Sequence, residues 1–513
     1  MSPRFLSTLC GFILAAFATL PLPAAAAEPA SGFPDRPDLY VASEQPVDLA
    51  GFLARDPLLV ELHKTSFYAD FCLSNPAMLY QGLSRTADRQ LGAPLGDEFL
   101  DEMLNAPGET AWWGLQPPGS KKRFLVVRDL SPKFTMIMRL FELLQKRAGK
   151  GIATPFRLDF PGMPVWLVIQ NRQLIASNEE TLLKKALAAA GGANAKVVLA
   201  RGSPYYARHF TGQPGALKIY VQLSSRWPRL SRLIGTAELG LAINLDLDTR
   251  ITFRSIYLTG VPPLDLPRGE ALRSLARVVP ESSVLALSLH LPPERFARQF
   301  AEIASNTDWQ TELGEALTRD IAPQFSGNLV FFLNGFSQAE GEGVADCGLA
   351  LSLKKGSGQR QKLVQLAKSM MAPTREEKPE PGTVLLRFDR EQAPAVAVNA
   401  DWLLIAARHS TLEEMRLCLA QKRPNLADQA VAAKALEPLG KRGPVQAVWL
   451  PAPFAQALLR HLTYLGGSAG EFAPADVERK IAPALALLAR LPVLALTLEP
   501  WNGDLKGRLI PLE

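Results

Sequence analysis

The stretch Leu-Ile-Ala at residues 174–176, followed by Thr-Leu at residues 181–182, predicts the fold because it occurs twice. The same tripeptide occupies residues 404–406, and Thr-Leu follows at residues 411–412, which is 230 positions later (404 minus 174). In each copy an apolar run changes into an amphipathic one, a pattern typical of a strand that leads into a helix. A strand–helix unit that recurs without a gap indicates an internal duplication.

The segments around this stretch recur in the same order. Residues 164–168 precede the first copy and residues 394–398 the second, and both segments begin with Pro and end with Val. Strands and helices that mix without a regular β-α-β alternation favour an α+β fold with a largely antiparallel sheet. The sequence therefore predicts two similar α+β halves, in which Ile175 and Ile405 are buried at equivalent positions.

The length of the chain agrees with two domains. After the first 27 residues, 486 remain (513 minus 27), which is more than one hydrophobic core ordinarily holds. Prolines between residues 263 and 280 mark the linker, so we expect repeat domains at residues 28–262 and 281–513. A second segment, residues 373–382, is charged and rich in proline, and we expect a solvated loop there.

Residues 1–27 have the pattern of a secretory signal peptide. Arg4 supplies a positive start, residues 5–20 are apolar, and Ala-Ala-Ala at residues 25–27 forms a small-residue cleavage site. The apolar run is shorter than the roughly 20 residues that span a bilayer, and prolines end it. We therefore expect cleavage before Glu28 and a periplasmic protein.

Charge, cysteines and histidines name no ligand. The formal net charge of +6 is modest and dispersed, so it does not predict binding to nucleic acid. Cys10 lies in the signal peptide, and the wide spacing of Cys72, Cys347 and Cys418 matches neither a zinc nor a redox motif. Three thiols are expected, although a disulfide between two of them stays open. The 5 histidines are scattered, so no metal or cofactor is predicted.

Two serine motifs leave an envelope hydrolase as the alternative function. Ser468 lies in Gly-x-Ser-x-Gly at residues 466–470, and Ser352 begins Ser-x-x-Lys at residues 352–355. The first motif requires a strand-to-helix turn, and the second requires a helical turn that brings Lys to Ser. Here the first follows a predicted helix and the second lies on a predicted strand. A non-catalytic protein is therefore favoured.

Basic and aromatic residues are the candidate binding positions. Arg226, Arg229 and Arg232 surround a short amphipathic stretch that suits an acidic partner or anionic lipid headgroups. An ordinary helix with solvated arginines is the other interpretation. Trp112 and Trp113 lie on a predicted strand, where alternation directs only one of them outward.

The region after the signal peptide resembles a known family. Asp-Pro-Leu-Leu at residues 56–59, Asp-Phe at residues 70–71, Tyr80, and Pro-Gly-Glu-Thr-Ala-Trp at residues 107–112 are similar to the opening of the YfaA-like family, bacterial envelope proteins with a domain of unknown function. The resemblance covers residues 35–190. Because members tend to be encoded beside a bacterial alpha-2-macroglobulin, a periplasmic protease trap, it implies an accessory role with such a partner. It carries over no catalytic residue.

Overall fold

A computed structural model divides the chain into two compact units. The first comprises residues 1–63, 68–231 and 236–262, and the second comprises residues 64–67, 232–235 and 263–513. The residues described are 36–43, 106–114, 122–137, 156–160, 163–170, 172–189, 204–210, 217–227, 231, 236–246, 252–295, 322–336, 345–354, 360–371, 375–379, 382–387, 395–441, 443–468, 475 and 477–512, with scattered positions between 60 and 102.

An antiparallel sheet forms the first unit. Its strands are β1 (Leu39–Ser43), β2 (Gly108–Trp113), β3 (Arg123–Asp129), β4 (Phe156–Phe160), β5 (Met163–Gln170), β6 (Gln173–Ser177), β7 (Leu217–Gln222), β8 (Glu238–Asp246) and β9 (Thr252–Val261). Across the sheet they follow the order β4-β5-β6-β3-β2-β1-β7-β8-β9. Strand β1, the first in the sequence, therefore lies near the middle of the sheet, and β9, the last in the sequence, lies at one end of this order.

Short helices pack on this sheet. They are α1 (Glu180–Ala189), α2 (Pro204–Phe210) and α3 (Leu223–Arg226). Helix α1 follows β6 directly and buries Leu182, Leu183 and Ala186, which share one face because Ala186 lies four residues after Leu182 and three after Leu183. The strand–helix transition expected after residues 174–176 is confirmed.

The second unit is also an antiparallel sheet. Its strands are β10 (Leu285–His290), β11 (Phe325–Phe336), β12 (Ala345–Leu353), β13 (Arg375–Glu377), β14 (Val384–Arg387), β15 (Ala395–Val398), β16 (Trp402–Ala406), β17 (Val445–Trp449), β18 (Val493–Trp501) and β19 (Asp504–Leu512). Their order is β13-β14-β15-β16-β12-β11-β10-β17-β18-β19. Apart from β13, the strands follow the same order as in the first unit.

Helices pack on the second sheet. They are α4 (Leu272–Leu275), α5 (Arg360–Met371), α6 (His409–Leu419), α7 (Ala430–Leu436), α8 (Pro451–Ser468) and α9 (Ala482–Leu488), with single turns at Ala276–Val278, Ala322–Gln324, Leu426–Asp428 and Val477–Ile481. Helix α6 follows β16 and buries Leu412 and Met415 in an apolar core that includes Phe332 and Val448. Each unit is thus a mixed α+β structure, as expected from the sequence.

The expected equivalence of Ile175 and Ile405 is wrong by one residue. In the β5–β6 hairpin Gln170 pairs with Gln173, and in the β15–β16 hairpin the backbone of Asn399 bonds to that of Trp402. The two turns are 229 positions apart (399 minus 170), so Ile175 corresponds to Leu404. A shift of one residue moves a side chain to the other face of a sheet, and Ile405 is only half-buried whereas Leu404 is buried.

The segment at residues 373–382 is not only a loop. Its residues Arg375–Glu377 form β13, which pairs with β14 at one edge of the second sheet. Lys368 forms an ion pair with Glu376, and the Arg375 and Glu376 side chains are exposed. Charged residues suit this position because they discourage another strand from pairing with the open edge.

The predicted signal peptide, residues 1–27, lies outside the described residues, as does Cys72. In the part of the chain that is described, no helix has both the length and the apolar character needed to cross a bilayer.

Candidate functional site: a buried polar cluster in the first unit

Helix α2 covers a pair of buried tyrosines in the first unit. Tyr40 on β1 pairs directly with Tyr220 on β7, and both side chains are fully buried. The ring centroid of Tyr205 lies 4.8 Å from that of Tyr220 and 5.8 Å from that of Tyr40. Phe210, at the end of α2, lies 6.1 Å from Tyr40. Aromatic contacts of this kind attach the helix to the sheet.

A buried carboxylate lies beside these rings. Glu238, the first residue of β8, forms an ion pair with Arg36, the first described residue before β1. His209 of α2 is fully buried, and its Nε2 atom lies 3.5 Å from Oε2 of Glu238. Its Nδ1 atom lies 2.7 Å from Oγ1 of Thr259 on β9. We call the residues Arg36, His209, Tyr220, Glu238 and Thr259 the Glu238 cluster.

The hydrogen bonds of the Glu238 cluster indicate where its protons lie. The Thr259 hydroxyl donates to the carbonyl oxygen of Gly240 at 3.3 Å, so its oxygen is free to accept the Nδ1–H of His209. Nε2 of His209 and the hydroxyl of Tyr220 both lie near Glu238 and help to lower its pKa, but neither makes a well-aligned hydrogen bond. Two buried polar atoms are therefore held loosely near the carboxylate, an arrangement that costs free energy.

The surroundings keep Glu238 ionised. Burial by itself raises the pKa of Glu238, but His209, Arg36 and Tyr220 together lower it below its ordinary value. The Tyr220 phenol responds in the opposite direction, because burial and the charge of Glu238 raise its pKa. The tyrosine is thus a neutral donor beside an anion over the physiological pH range.

Gly240 makes room for the imidazole ring. A Cβ atom at this position would lie 2.6 Å from Oγ1 of Thr259 and 2.7 Å from Cβ of His209. Cβ atoms do not approach non-bonded heavy atoms this closely, so any larger residue would displace His209. The position of the ring depends on a glycine in the middle of β8.

A second buried charge lies on the same face of the sheet. Lys218 of β7 places its Nζ atom 3.1 Å from the hydroxyl of Tyr206 and 5.2 Å from the centroid of that ring. The Phe210 ring centroid is 6.0 Å away. Aromatic faces of this kind stabilise a desolvated ammonium group. Helix α2 therefore contacts charged groups at both of its ends.

The order hydroxyl, imidazole and carboxylate in Thr259, His209 and Glu238 is that of a nucleophilic relay. A relay needs a nucleophile that substrate can reach. Thr259 is 1% exposed and its proton is already donated to Gly240. The cluster is suited to holding elements together and to binding a proton, and not to attacking a substrate.

Ser352 is not placed as a nucleophile. It lies on β12, as its sequence context predicts, and it is 8% exposed. Its hydroxyl bonds to that of Ser326 and donates to the carbonyl oxygen of Asn328 at 3.2 Å. Lys355 lies outside the described residues. Ser468 is the last residue of α8, so the helix predicted before the motif is present and extends through Gly466 and Gly467, and the side chain of Ser468 is not among those described.

The structure separates the two candidate tryptophans. Trp113 is 4% exposed and faces the core, whereas Trp112 is half-buried on the opposite face. Trp113 is therefore removed from the candidate binding residues, because a buried ring offers no contact surface. Arg226 ends the four-residue helix α3, its side chain is outside those described, and Arg229 and Arg232 lie outside the described residues.

The described cysteines are thiols. Cys347 and Cys418 form no disulfide. Burial raises the pKa of both, and with the nearby charge of Glu414 it brings that of Cys418 to about 11. Within the described residues no group of three His, Cys, Asp or Glu side chains could hold a metal ion.

Sequence reasoning missed the Glu238 cluster because its members are far apart along the chain. Arg36 and Glu238 are 202 positions apart, and His209 and Thr259 are 50 apart. One signal was present: in the first unit β8 begins with Glu238 and contains Gly240, where the matching strand of the second unit has Val493 and Ala495. Aligning the two halves of the sequence residue by residue would reveal this difference.

Comparisons with known proteins add little to this description. No protein-family model and no curated protein matches the sequence. The solved structure of TP0453 in crystal form III aligns with a TM-score of 0.26 and 12% identity, over 44% of this chain and 74% of that chain. A likeness at that TM-score supports no statement about fold or function.

Proposed function

We propose that this protein is a non-catalytic binding or accessory protein of the bacterial periplasm, formed by duplication, whose first half carries the function. The observation that supports placing the function in the first half is the Glu238 cluster. The first unit keeps charged and hydroxyl groups where the second unit has an apolar core.

The match between the two units supports the duplication. Nine strands of each unit follow the same order. Helices α1 and α6 follow the corresponding strands β6 and β16, and helices α2 and α7 precede the corresponding strands β7 and β17. The register also agrees: Tyr40 is the second residue of β1 and pairs with Tyr220, and Ala286 is the second residue of β10 and pairs with Val448. Independent sheets would rarely agree in both order and register.

Energetics supports placing the function in the first unit. Taking charges out of water costs several kcal/mol per ion, and replacing a buried ion pair by apolar residues is often neutral or stabilising. The second unit has the apolar arrangement on a sheet of the same order. A polar cluster retained against this cost suggests a role other than stability.

Export and the partner rest on the sequence. The pattern of residues 1–27 supports export to the periplasm, and the resemblance to the YfaA-like family supports an alpha-2-macroglobulin-like protein as the leading partner. The cell-envelope surface, through peripheral membrane contact, is the second candidate. Trp112 and Arg226 stay in the proposed contact region, together with Arg229 and Arg232.

Crosslinking and affinity purification from the cell envelope test the partner. We expect an alpha-2-macroglobulin-like protein to be captured by the wild type and lost with Trp112→Ala/Arg226→Glu. Val431→Ser is the matched control, because Val431 is exposed on α7 of the second unit. Failure of the wild type to capture that protein contradicts the partner, and equal capture by the double variant contradicts the contact region.

Probe labelling tests the non-catalytic assignment. We expect neither a fluorophosphonate nor a penicillin probe to label the folded protein. Labelling that disappears in Ser352→Ala or Ser468→Ala would replace the proposal by the hydrolase alternative.

Mass spectrometry of the envelope protein should find Glu28 as its first residue, and an intact Met1 would contradict export with cleavage.

A further inference from the structure

Glu238 joins four separate segments of the first unit through one carboxyl group. Arg36 comes from the segment before β1, His209 from α2 and Tyr220 from β7, while Glu238 itself begins β8. Thr259 of β9 holds the other side of the imidazole. Removing the negative charge of this one group would therefore weaken several contacts at once.

We propose that Glu238 is the proton-accepting element of a latch that fastens helix α2 and the Arg36 segment to the sheet of the first unit, and that acid opens this latch. The latch is independent of which partner the protein binds, so it goes beyond the proposed function.

The groups that face Glu238 determine whether acid opens or closes the latch. Arg36 and His209 supply positive or proton-donating groups, Tyr220 supplies a neutral hydroxyl, and Tyr205 lies against Tyr220. Together they hold the pKa of Glu238 below its ordinary value, although burial acts in the other direction. A carboxyl group whose folded pKa is depressed stabilises the fold above its unfolded pKa, and this contribution is lost as pH falls through the folded pKa. The latch is closed at neutral pH and opens below the ordinary carboxyl range.

Helix α2 is the element that such a latch would release. It has seven residues, fewer than the roughly 12 that an isolated helix needs to persist in water, so its contacts with the sheet hold it in place. The Arg36 side chain is already 55% exposed and can be solvated when its partner is neutralised. His209 has no such route, since it is fully buried.

Opening would uncover an aromatic surface. Tyr205 and Phe210 of α2 cover the rings of Tyr40 and Tyr220. Rings of this size exposed together are typical of protein-binding surfaces, where tyrosine contributes large contact energies. The open form would therefore offer a contact site that the closed form hides.

Tyrosine absorbance between pH 7 and pH 3 tests the latch, with binding of the dye ANS as a second readout for exposed apolar surface. We expect the wild type to show one transition below the ordinary carboxyl range, with a rise in ANS fluorescence. Glu238→Gln should show the acid-form signal at pH 7 and no transition. Glu376→Gln is the matched control, because the pKa of Glu376 is also lowered, first by its bond to Lys368, but on the surface of the second unit. It should keep the wild-type transition.

A second variant keeps the test valid if Glu238→Gln does not fold. Arg36→Ala removes a cation from a partly exposed side chain, so it should fold and move the transition upward by about 0.5 to 1 pH unit. An unshifted midpoint in Arg36→Ala, or a wild-type transition in a folded Glu238→Gln, overturns the latch. Partner capture at pH 7 does not depend on the transition, so the two proposals fail separately.

Discussion

Two rows of four residues occupy matching positions in the two units, and the two rows differ in chemistry. In the first unit the cross-strand row is Tyr40, Tyr220, Gly240 and Thr259. In the second it is Ala286, Val448, Ala495 and Ile510. Two residues before Gly240 stands Glu238, and two before Ala495 stands Val493.

The difference shows that strand order does not require a particular core chemistry. In the second unit aliphatic side chains pack against α4 and α7 over the sheet and bury apolar area, and the side chain of Gln446 also accepts a hydrogen bond from the backbone N–H of Leu272 in α4. In the first unit the small Gly240 lets His209 approach the sheet, and tyrosine rings fill the remaining volume. At the four matching positions the second unit relies on non-directional packing, whereas the first unit depends on particular atoms at particular distances.

The largest effect is expected from a substitution that tests the register of this comparison. Leu404→Ala should lower the free energy of unfolding of the second unit by about 2–5 kcal/mol, because it leaves a cavity in the core. Ile405→Ala is the matched control and should cost less, since Ile405 is half-buried. Denaturant titration followed by hydrogen exchange in each unit measures both. A larger loss of stability for Ile405→Ala than for Leu404→Ala would mean that equivalent residues of the two units are 230 positions apart, as the repeated tripeptide suggested, and not 229.

Exchanging the small residues of the two rows should give unequal results. Gly240→Ala forces His209 away from β8 and should destabilise the first unit by about 1–3 kcal/mol through overpacking. Ala495→Gly should cost about 0.5–1 kcal/mol in the second unit through backbone entropy. The same unfolding measurement applies. Equal stability of Gly240→Ala and the wild type would mean that the ring position does not depend on the glycine.

Removing one hydroxyl should distinguish directional contacts from packing. Thr259→Val keeps the shape of the side chain but leaves Nδ1 of His209 without an acceptor, at a cost of about 1–2 kcal/mol. Ile510→Val, at the matching position, removes a methylene group and should cost about 0.5–1.5 kcal/mol. A double-mutant cycle with His209→Gln tests whether the two residues are coupled. We expect the double variant to lose less stability than the sum of the two single variants, and additive losses would contradict the contact between Thr259 and His209.

The smallest expected effect is on the pH dependence of stability. Glu414 in the second unit should change stability with pH in the opposite direction to Glu238 in the first. Burial and the charge of Asp346 raise the pKa of Glu414 in α6, although Arg423 and Arg408 oppose them. A raised folded pKa gives stability that is present at low pH and lost as pH rises through that pKa, the reverse of Glu238. Glu414→Gln should therefore slightly stabilise the second unit at pH 7 and flatten its acid response, measured by unfolding at pH 4 and pH 7. Destabilisation at pH 7 would contradict this sign.

Several features of the fold could be predicted because they depend on local patterns. Alternation and the strand–helix change after residues 174–176 predicted β6 and α1, and the same pattern predicted β16 and α6. The placement of Ser352 on a strand followed from the same alternation. The one-residue shift at Ile405 could not be predicted, because the hairpin turn sets the register and the repeated tripeptide does not.

By itself the sequence determined the mixed α+β class and the strand–helix changes after residues 174–176 and 404–406, since periodic apolar residues specify strands and helices locally. Only the tertiary structure decided that Arg36, His209 and Glu238 meet, and that Trp113 is buried while Trp112 is half-buried. The physical reason is distance along the chain. Pairing of β1 with β7 and of β8 with β9 brings together residues up to 202 positions apart, and no local pattern records such a contact.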